Sequence, residues 1–282
     1  MNRLLSFGIA GMMAMGLTSC GAGGNLTQDL GSVLGDFQVL DLTTGAVESR
    51  AVLLDLDTNP DYRSTKMVFR AVEGGTATIG SAPTSFGVEA GVAQVDEIPQ
   101  GSASVQRFYL GVFEVTRDQW SALAATTPWT TFSAGLVGAH VGDKPASGMS
   151  RDDVGAMLTT WNTTRTKDLA LPSETQWEHA CRAGAAGSFT WGDDRSDAVV
   201  GGYAVVSETA GGVTGPRTVG GRVPNAFGLF DMHGNVWEFT ASDNIRGGSW
   251  RDSLPMARSA NRKVLDQITG HPLVGLRLIL SL

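Results

Sequence analysis

The chain has 282 residues, 42% of them hydrophobic and 17% charged, and a formal net charge of -7. An acidic surface repels phosphate backbones, which excludes a general nucleic-acid binder. Two cysteines, Cys20 and Cys181, set against 37 glycines exclude a disulfide-knit scaffold. They predict a loop-rich fold of short elements, in a chain long enough to bury a core without staples.

Arg3 followed by an apolar run from Leu4 to Leu17 reads as a signal peptide over residues 1–19, too short to serve as a spanning helix. Leu17-Thr18-Ser19-Cys20 resembles a lipobox, an apolar residue and two small ones before the cysteine that takes the lipid. This predicts lipidation at Cys20, a tether over 20–36 and attachment to a membrane through the lipid anchor. The expected location is the bacterial cell envelope, extracytoplasmic, at the outer membrane in a Gram-negative host. An ordinary signal peptide with a chance cysteine is the alternative. Removing Arg3 with the leader takes the net charge from -7 to -8.

Residues 37–64 read as an N-terminal strand extension, with strands over Val39–Val47 and Ala51–Leu56 and a turn at Asn59-Pro60-Asp61. Lys66–Val72 alternates apolar and polar residues, as a half-buried strand does, and Thr76–Ile79 is a second short strand ended by Gly80. Three helices announce themselves by their first turns. Thr116 with Gln119 and Ser173 with Gln176 form capping boxes, and Ser150 opens a third helix through Asp153. Behind these caps, Trp120 and Leu123, then Val154, Met157 and Trp161, then Trp177, Ala180 and Cys181, fall on single faces. Gly184 is placed to end the last of them. Beyond it the pattern predicts short strands and glycine loops. The C-terminal stretch is basic, with Arg246, Arg251, Arg258, Arg262, Lys263 and Arg277 against Asp252 and Asp266. Most of these arginines are expected to pair with acidic residues elsewhere in the fold.

Six segments in series carry a family resemblance. They are the run from Arg107 to Trp120 with its Glu114-Val-Thr116; Leu171 to Gly184; Trp191-Gly192-Asp193; Asn225 to Glu238, reading NAFGLFDMHGNVWE; Arg246-Gly-Gly-Ser-Trp250; and Arg258-Ser-Ala-Asn-Arg262 with Gly275-Leu-Arg277. Over residues 65–282 the chain resembles the formylglycine-generating enzyme, or sulfatase-modifying factor, family. The resemblance implies an α+β fold, a variant of the C-type lectin fold with short strands and about three helices.

Asp231 and Glu238 are hard oxygen ligands flanking a glycine turn, and with the carbonyls of Gly234 and Val236 they make a donor set suited to Ca²⁺. The family's positions matching these four hold calcium. A turn closed by Asp231 and Asn235 without metal is the other reading. The family's oxidase binds copper(I) through two thiolates after the Gly-Gly-Ser motif, and copper(I) requires such soft ligands. Here Asp252 stands about where the first thiol is expected, and no cysteine follows Arg182. Copper is therefore not expected, and no catalytic residue is assigned. Iron is not expected either, because His140, His179, His233 and His271 are scattered and form no His-x-x-x-His pair.

The leading expectation is a binding module without copper oxidase activity. It would hold an unidentified protein or small ligand on a C-terminal loop face of Trp250, Arg251, Asp252, Ser253, Lys263, Val264, Leu265 and His271. The first alternative is an extracytoplasmic formylglycine-generating or non-haem iron modifying enzyme. The second is a variable protein of a diversity-generating retroelement, in which Trp250, the Ser-Ala-Asn-Arg run and the final Gly275-Leu-Arg277 stay fixed while Arg251, Asp252, Ser253, Lys263, Val264, Leu265, His271, Leu273 and Val274 vary. A structural component of an envelope complex is a weaker third.

Overall fold

Three capped helices and a set of short strands assemble as a mixed fold in the computed structural model, which describes residues 36–82, 85–86, 91, 97–132, 141–209, 211, 214–265 and 269–282. The leader, Cys20 and nearly all of the tether lie outside the described residues. Among the described residues no helix is long and apolar enough to cross a membrane.

The main sheet has six strands: β1 (Phe37–Asp41), β2 (Val47–Arg50), β3 (Lys66–Val72), β6 (Phe108–Gly111), β7 (Leu169–Ala170) and β12 (Ile279–Leu280). Their order is β2-β1-β3-β6-β12-β7, so the last strand of the chain is clamped between two earlier ones. A hairpin joins β4 (Gly75–Ile79) to β5 (Gly101–Val105). A second sheet, ordered β10-β9-β8-β11, is formed by β8 (Trp237–Phe239), β9 (Asn244–Arg246), β10 (Arg262–Val264) and β11 (Val274–Leu276), with β11 parallel to β8. This second sheet carries the C-terminal loops.

The expected strand over Val39–Val47 is broken into a hairpin. The Asp41 carboxylate accepts the N–H groups of Thr43 and Thr44 at 2.9 Å each, and Gly45 takes φ 76° to complete the reversal. Ala51–Leu56 is not a strand. Its backbone turns, the carbonyl of Asp55 accepting from Thr58 and Asn59, and Leu54 is 95% exposed with nothing to pack on. Leu53 and Leu56 instead pack partly against the cluster of Tyr62 and Phe113, a spacing of three that a turn satisfies and the two-residue alternation of a strand does not.

The helices begin where their caps place them: α1 (Arg117–Ala124), α2 (Arg151–Thr164) and α3 (Glu174–Arg182). Each cap side chain accepts from the third helical N–H, and each partner reaches back to the cap backbone. Trp120, Met157 and Trp161 drive into the largest apolar cluster, beside Phe69, Trp237 and Phe239. Trp177, Ala180 and Cys181 enter a second one with Leu110 and Ile279. The third helix ends on Ala183 in the left-handed region, followed by Gly184 at φ 89°. A short fourth helix, α4 (Asp197–Tyr203), was not expected from sequence. Its Ser196 cap makes no side-chain hydrogen bond, so the local signal is weak.

Thr116 does more than cap. Its hydroxyl accepts from Gln119 N–H at 3.2 Å and donates to the Arg63 carbonyl at 2.7 Å, joining α1 to the segment before β3. Thr116→Ala removes both bonds and is expected to cost about 2 kcal/mol in urea unfolding, whereas Thr116→Ser keeps most of the stability.

Candidate functional site

The signature segment from Asn225 to Glu238 is shaped by four residues with positive φ: Gly228 (76°), Asp231 (57°), Gly234 (93°) and Asn235 (61°). Gly234 has no room for a side chain, since a Cβ there would lie 2.1 Å from the Val205 carbonyl oxygen. Asn235 locks the turn from within. Its Oδ1 accepts from Arg217 N–H at 2.8 Å and its Nδ2 donates to Glu114 at 2.5 Å. Glu114 also accepts the Val236 N–H at 3.1 Å.

Asp231, Glu238 and Glu114 thus form a buried acidic group around one buried guanidinium, Arg277. Glu238 accepts three hydrogen bonds from Arg277 at 2.8–3.2 Å and the indole N–H of Trp177 at 2.6 Å. Asp231 Oδ2 accepts from Gly220 N–H at 2.6 Å, while its Oδ1 is buried without a protein partner. Burial pushes the Asp231 carboxyl up to about 6. Burial, and next the neighbouring charges of Asp231 and Glu238, hold Glu114 well above the usual carboxylate range. Glu114 was not singled out from sequence as part of this group. Its signal was the Glu-Val-Thr run, but a packing role and a site role look alike in a single chain.

The expected C-terminal pairing of arginines is realised. Arg246 meets Glu178 at 3.2 Å and Glu174 at 3.2 Å, Arg258 meets Glu97 at 2.7 Å, and Arg262 lies 3.5 Å from Glu174. Arg251 and Lys263 stay exposed.

On the loop face, the residues separate into a buried frame and an exposed rim. Trp250 is only 6% exposed, so it anchors the loop from inside and presents no surface to a partner. Asp252 is half-buried. Its carboxylate accepts from the Ser249 hydroxyl and, at 2.8 Å, from the Trp237 indole N–H. Leu265 packs partly against the main core. His271 is half-buried, and its basicity is lowered by burial first and then by the Lys263 charge, with Asp252 opposing. The exposed rim is Arg251, Ser253, Lys263 and Val264, the last 69% exposed. Of the two further positions expected to vary in the retroelement reading, Val274 is fully buried and Leu273 packs against the core.

Cys181 lies within 3.6 Å of His233 Nε2 and 3.5 Å of the Ser259 hydroxyl, but burial pushes its thiol up to about 12. A thiol so held is not a nucleophile near neutral pH. His233 is equally inert, with burial lowering it to about 4 and its Nδ1 bonded to the Ala257 carbonyl at 2.7 Å. Among the described residues no three or more His, Cys, Asp or Glu side chains are placed to hold a metal ion by themselves, the group of Glu114, Asp231 and Glu238 included. Calcium at the signature turn would therefore draw on the Gly234 and Val236 carbonyls as well.

The family model for the sulfatase-modifying factor enzyme 1-like domain matches residues 55–282. A formylglycine-generating enzyme of Mycobacterium tuberculosis is 36% identical over 80 residues, covering 26% of this chain and 27% of that protein. An inactive C-alpha-formylglycine-generating enzyme 2 of Bos taurus is 30% identical over 132 residues, covering 40% of this chain and 44% of that protein. The alignments thus span less than half of the curated relatives' length. PvdO from Pseudomonas aeruginosa shares the fold, with a TM-score of 0.64 at 22% identity over 76% of this chain and 94% of its own.

The raised carboxyls make a pH prediction. An unfolded Asp sheds its proton near pH 4, and folded Asp231 keeps it to about pH 6. Between those values the folded state binds more protons, so stability falls as pH rises across the window. Glu114 extends the fall to higher pH. Urea midpoints in a chelator, measured from about pH 4 to 7, should decline, and Asp231→Asn should flatten the slope between about pH 4 and 6.

Proposed function

This chain belongs to the sulfatase-modifying factor family, and from that premise we propose that it is a binding module without copper oxidase activity, held at a bacterial envelope membrane by a lipid on Cys20. The observation that carries this reading is the state of Asp252. It stands about where the resemblance puts the first copper thiolate, and its carboxylate is spent on Ser249 and Trp237. A hard oxygen in that position does not replace a soft sulfur for copper(I). Cys181, the other cysteine of the chain, is buried in a different motif with its thiol raised to about 12. The inactive relative in Bos taurus supports loss of the oxidase within the family.

The ligand or partner meets the exposed rim of Arg251, Ser253, Lys263 and Val264. Two cations beside an exposed valine favour a partner surface with acidic groups around an apolar contact. A second reading, a variable protein, draws on the buried Arg258-Ser-Ala-Asn261 frame below that exposed rim. The buried Val274 speaks against variation there.

Calcium at the signature turn is part of the proposal. Three buried carboxylates face one buried guanidinium, and Asp231 Oδ1 is an oxygen with no protein donor. A divalent cation would offset the surplus charge, with Glu238 shared between it and Arg277.

Purified protein supplied with copper is expected to leave the cysteine of a sulfatase-type peptide unconverted by mass spectrometry. Copper-dependent turnover would refute the proposal. Calcium is expected to raise the thermal midpoint more at pH 7 than at pH 5, where protons compete for the same carboxylates, and Asp231→Asn should abolish the rise.

A further inference from the structure

A recess lies where the end of α3 meets the β4–β5 hairpin and the Arg258 segment. It is a cavity of about 150 Å³ lined in part by Ser85, Gln100, Arg182, Ser188, Asp193 and Arg258. It shares no residue with the C-terminal rim and does not depend on the function proposed above.

Its walls are polar, and their charged groups are held by protein partners. Arg182 gives Nε and Nη2 to Glu178 at 3.0 and 2.9 Å, and Arg258 gives Nη1 and Nη2 to Glu97 at 2.7 and 3.3 Å. Arg182 also donates to the Gly187 and Gly80 carbonyls, and Arg258 to the Pro255 carbonyl and the Ser81 hydroxyl, so both guanidinium groups already have protein acceptors. Asp193 adds a carboxylate to the lining, with Oδ1 accepting the Ser188 N–H at 2.8 Å. An anion would find the guanidinium donors largely engaged and would meet the Asp193 carboxylate.

Two hydroxyls in the lining are left over. Ser188 is 7% exposed, and its Oγ is buried with no protein partner. Ser85 Oγ is likewise buried and unpartnered. Buried hydroxyls are normally satisfied, and two in one recess mark places for a ligand's own hydroxyls. A cavity of about 150 Å³ accommodates a six-membered ring, which suits part or all of a small sugar ring.

We propose that this cavity is a binding site for a neutral polyhydroxyl compound no larger than a monosaccharide, held through the hydroxyls of Ser188 and Ser85. The hydroxyl of each serine can both donate and accept, matching an alcohol group in either sense.

The test is ligand-observed NMR titration of the full-length protein with glycerol, D-glucose and D-galactose, and with inorganic phosphate as the charged comparison. At least one polyol should bind in the millimolar range and phosphate should not displace it. Ser188→Ala should weaken that binding by about tenfold while leaving the thermal midpoint unchanged, since the hydroxyl has no protein partner to lose. Ser85→Ala should act in the same direction. Absence of polyol binding, preference for phosphate, or undiminished binding by Ser188→Ala would each overturn the assignment.

Discussion

Arg277 reaches the centre of the molecule with every donor of its guanidinium engaged. It bonds Glu238 through Nε and Nη2, the carbonyls of Gly111 and Val112 through Nη1, and the Phe230 carbonyl through Nη2. Those contacts tie the strand β6, the signature turn, β8 and the C-terminal segment to one planar group. Trp177 completes the Glu238 carboxylate from α3. A charge this deeply buried is tolerable only when its geometry is fully paired, and removing one partner leaves the other uncompensated. Arg246 with Glu178 and Arg258 with Glu97 repeat the device nearer the loop face. In a chain rich in glycine and poor in long elements, such forks do the work that long helices and sheets do elsewhere.

The proposed binding function rests on what this frame holds still and what it leaves outside. Ser249, Trp250, Ser259 and Asn261 are buried and fix the loops, while Arg251, Ser253, Lys263 and Val264 stand on them in solvent. That division suits recognition, because exposed residues on a rigid base change without cost to the fold. Asp252 belongs to the frame, with both its donors inside the protein.

The sequence carried its local signals well. Thr116, Ser150 and Ser173 marked three helix starts, because capping is a matter of residues three apart. The alternation of Lys66–Val72 gave β3 with its bounds. The basic C-terminal arginines were legible as a set needing acidic partners, but the partners were not. Glu97 lies 161 residues from Arg258, and no local pattern encodes that distance. Ala51–Leu56 reads as a strand from its apolar run, but the residues that turn inward, Leu53 and Leu56, are three apart and suit a turn. Trp250 misled in the opposite way, since an aromatic beside a variable-looking loop is as well suited to anchoring it as to binding. Glu114 and the Ser188 recess depend on how distant segments converge, and a single chain shows neither.

The claim that buried Arg–Glu forks hold the loop face in place is tested most directly by a double-mutant cycle on Arg277→Met and Glu238→Gln, read by urea unfolding. Each single change should cost about 3–5 kcal/mol, and the pair should cost clearly less than the sum, because the second removes a group already stranded by the first. Single costs below about 1 kcal/mol that simply add would contradict the account, placing Arg277 among ordinary packing residues.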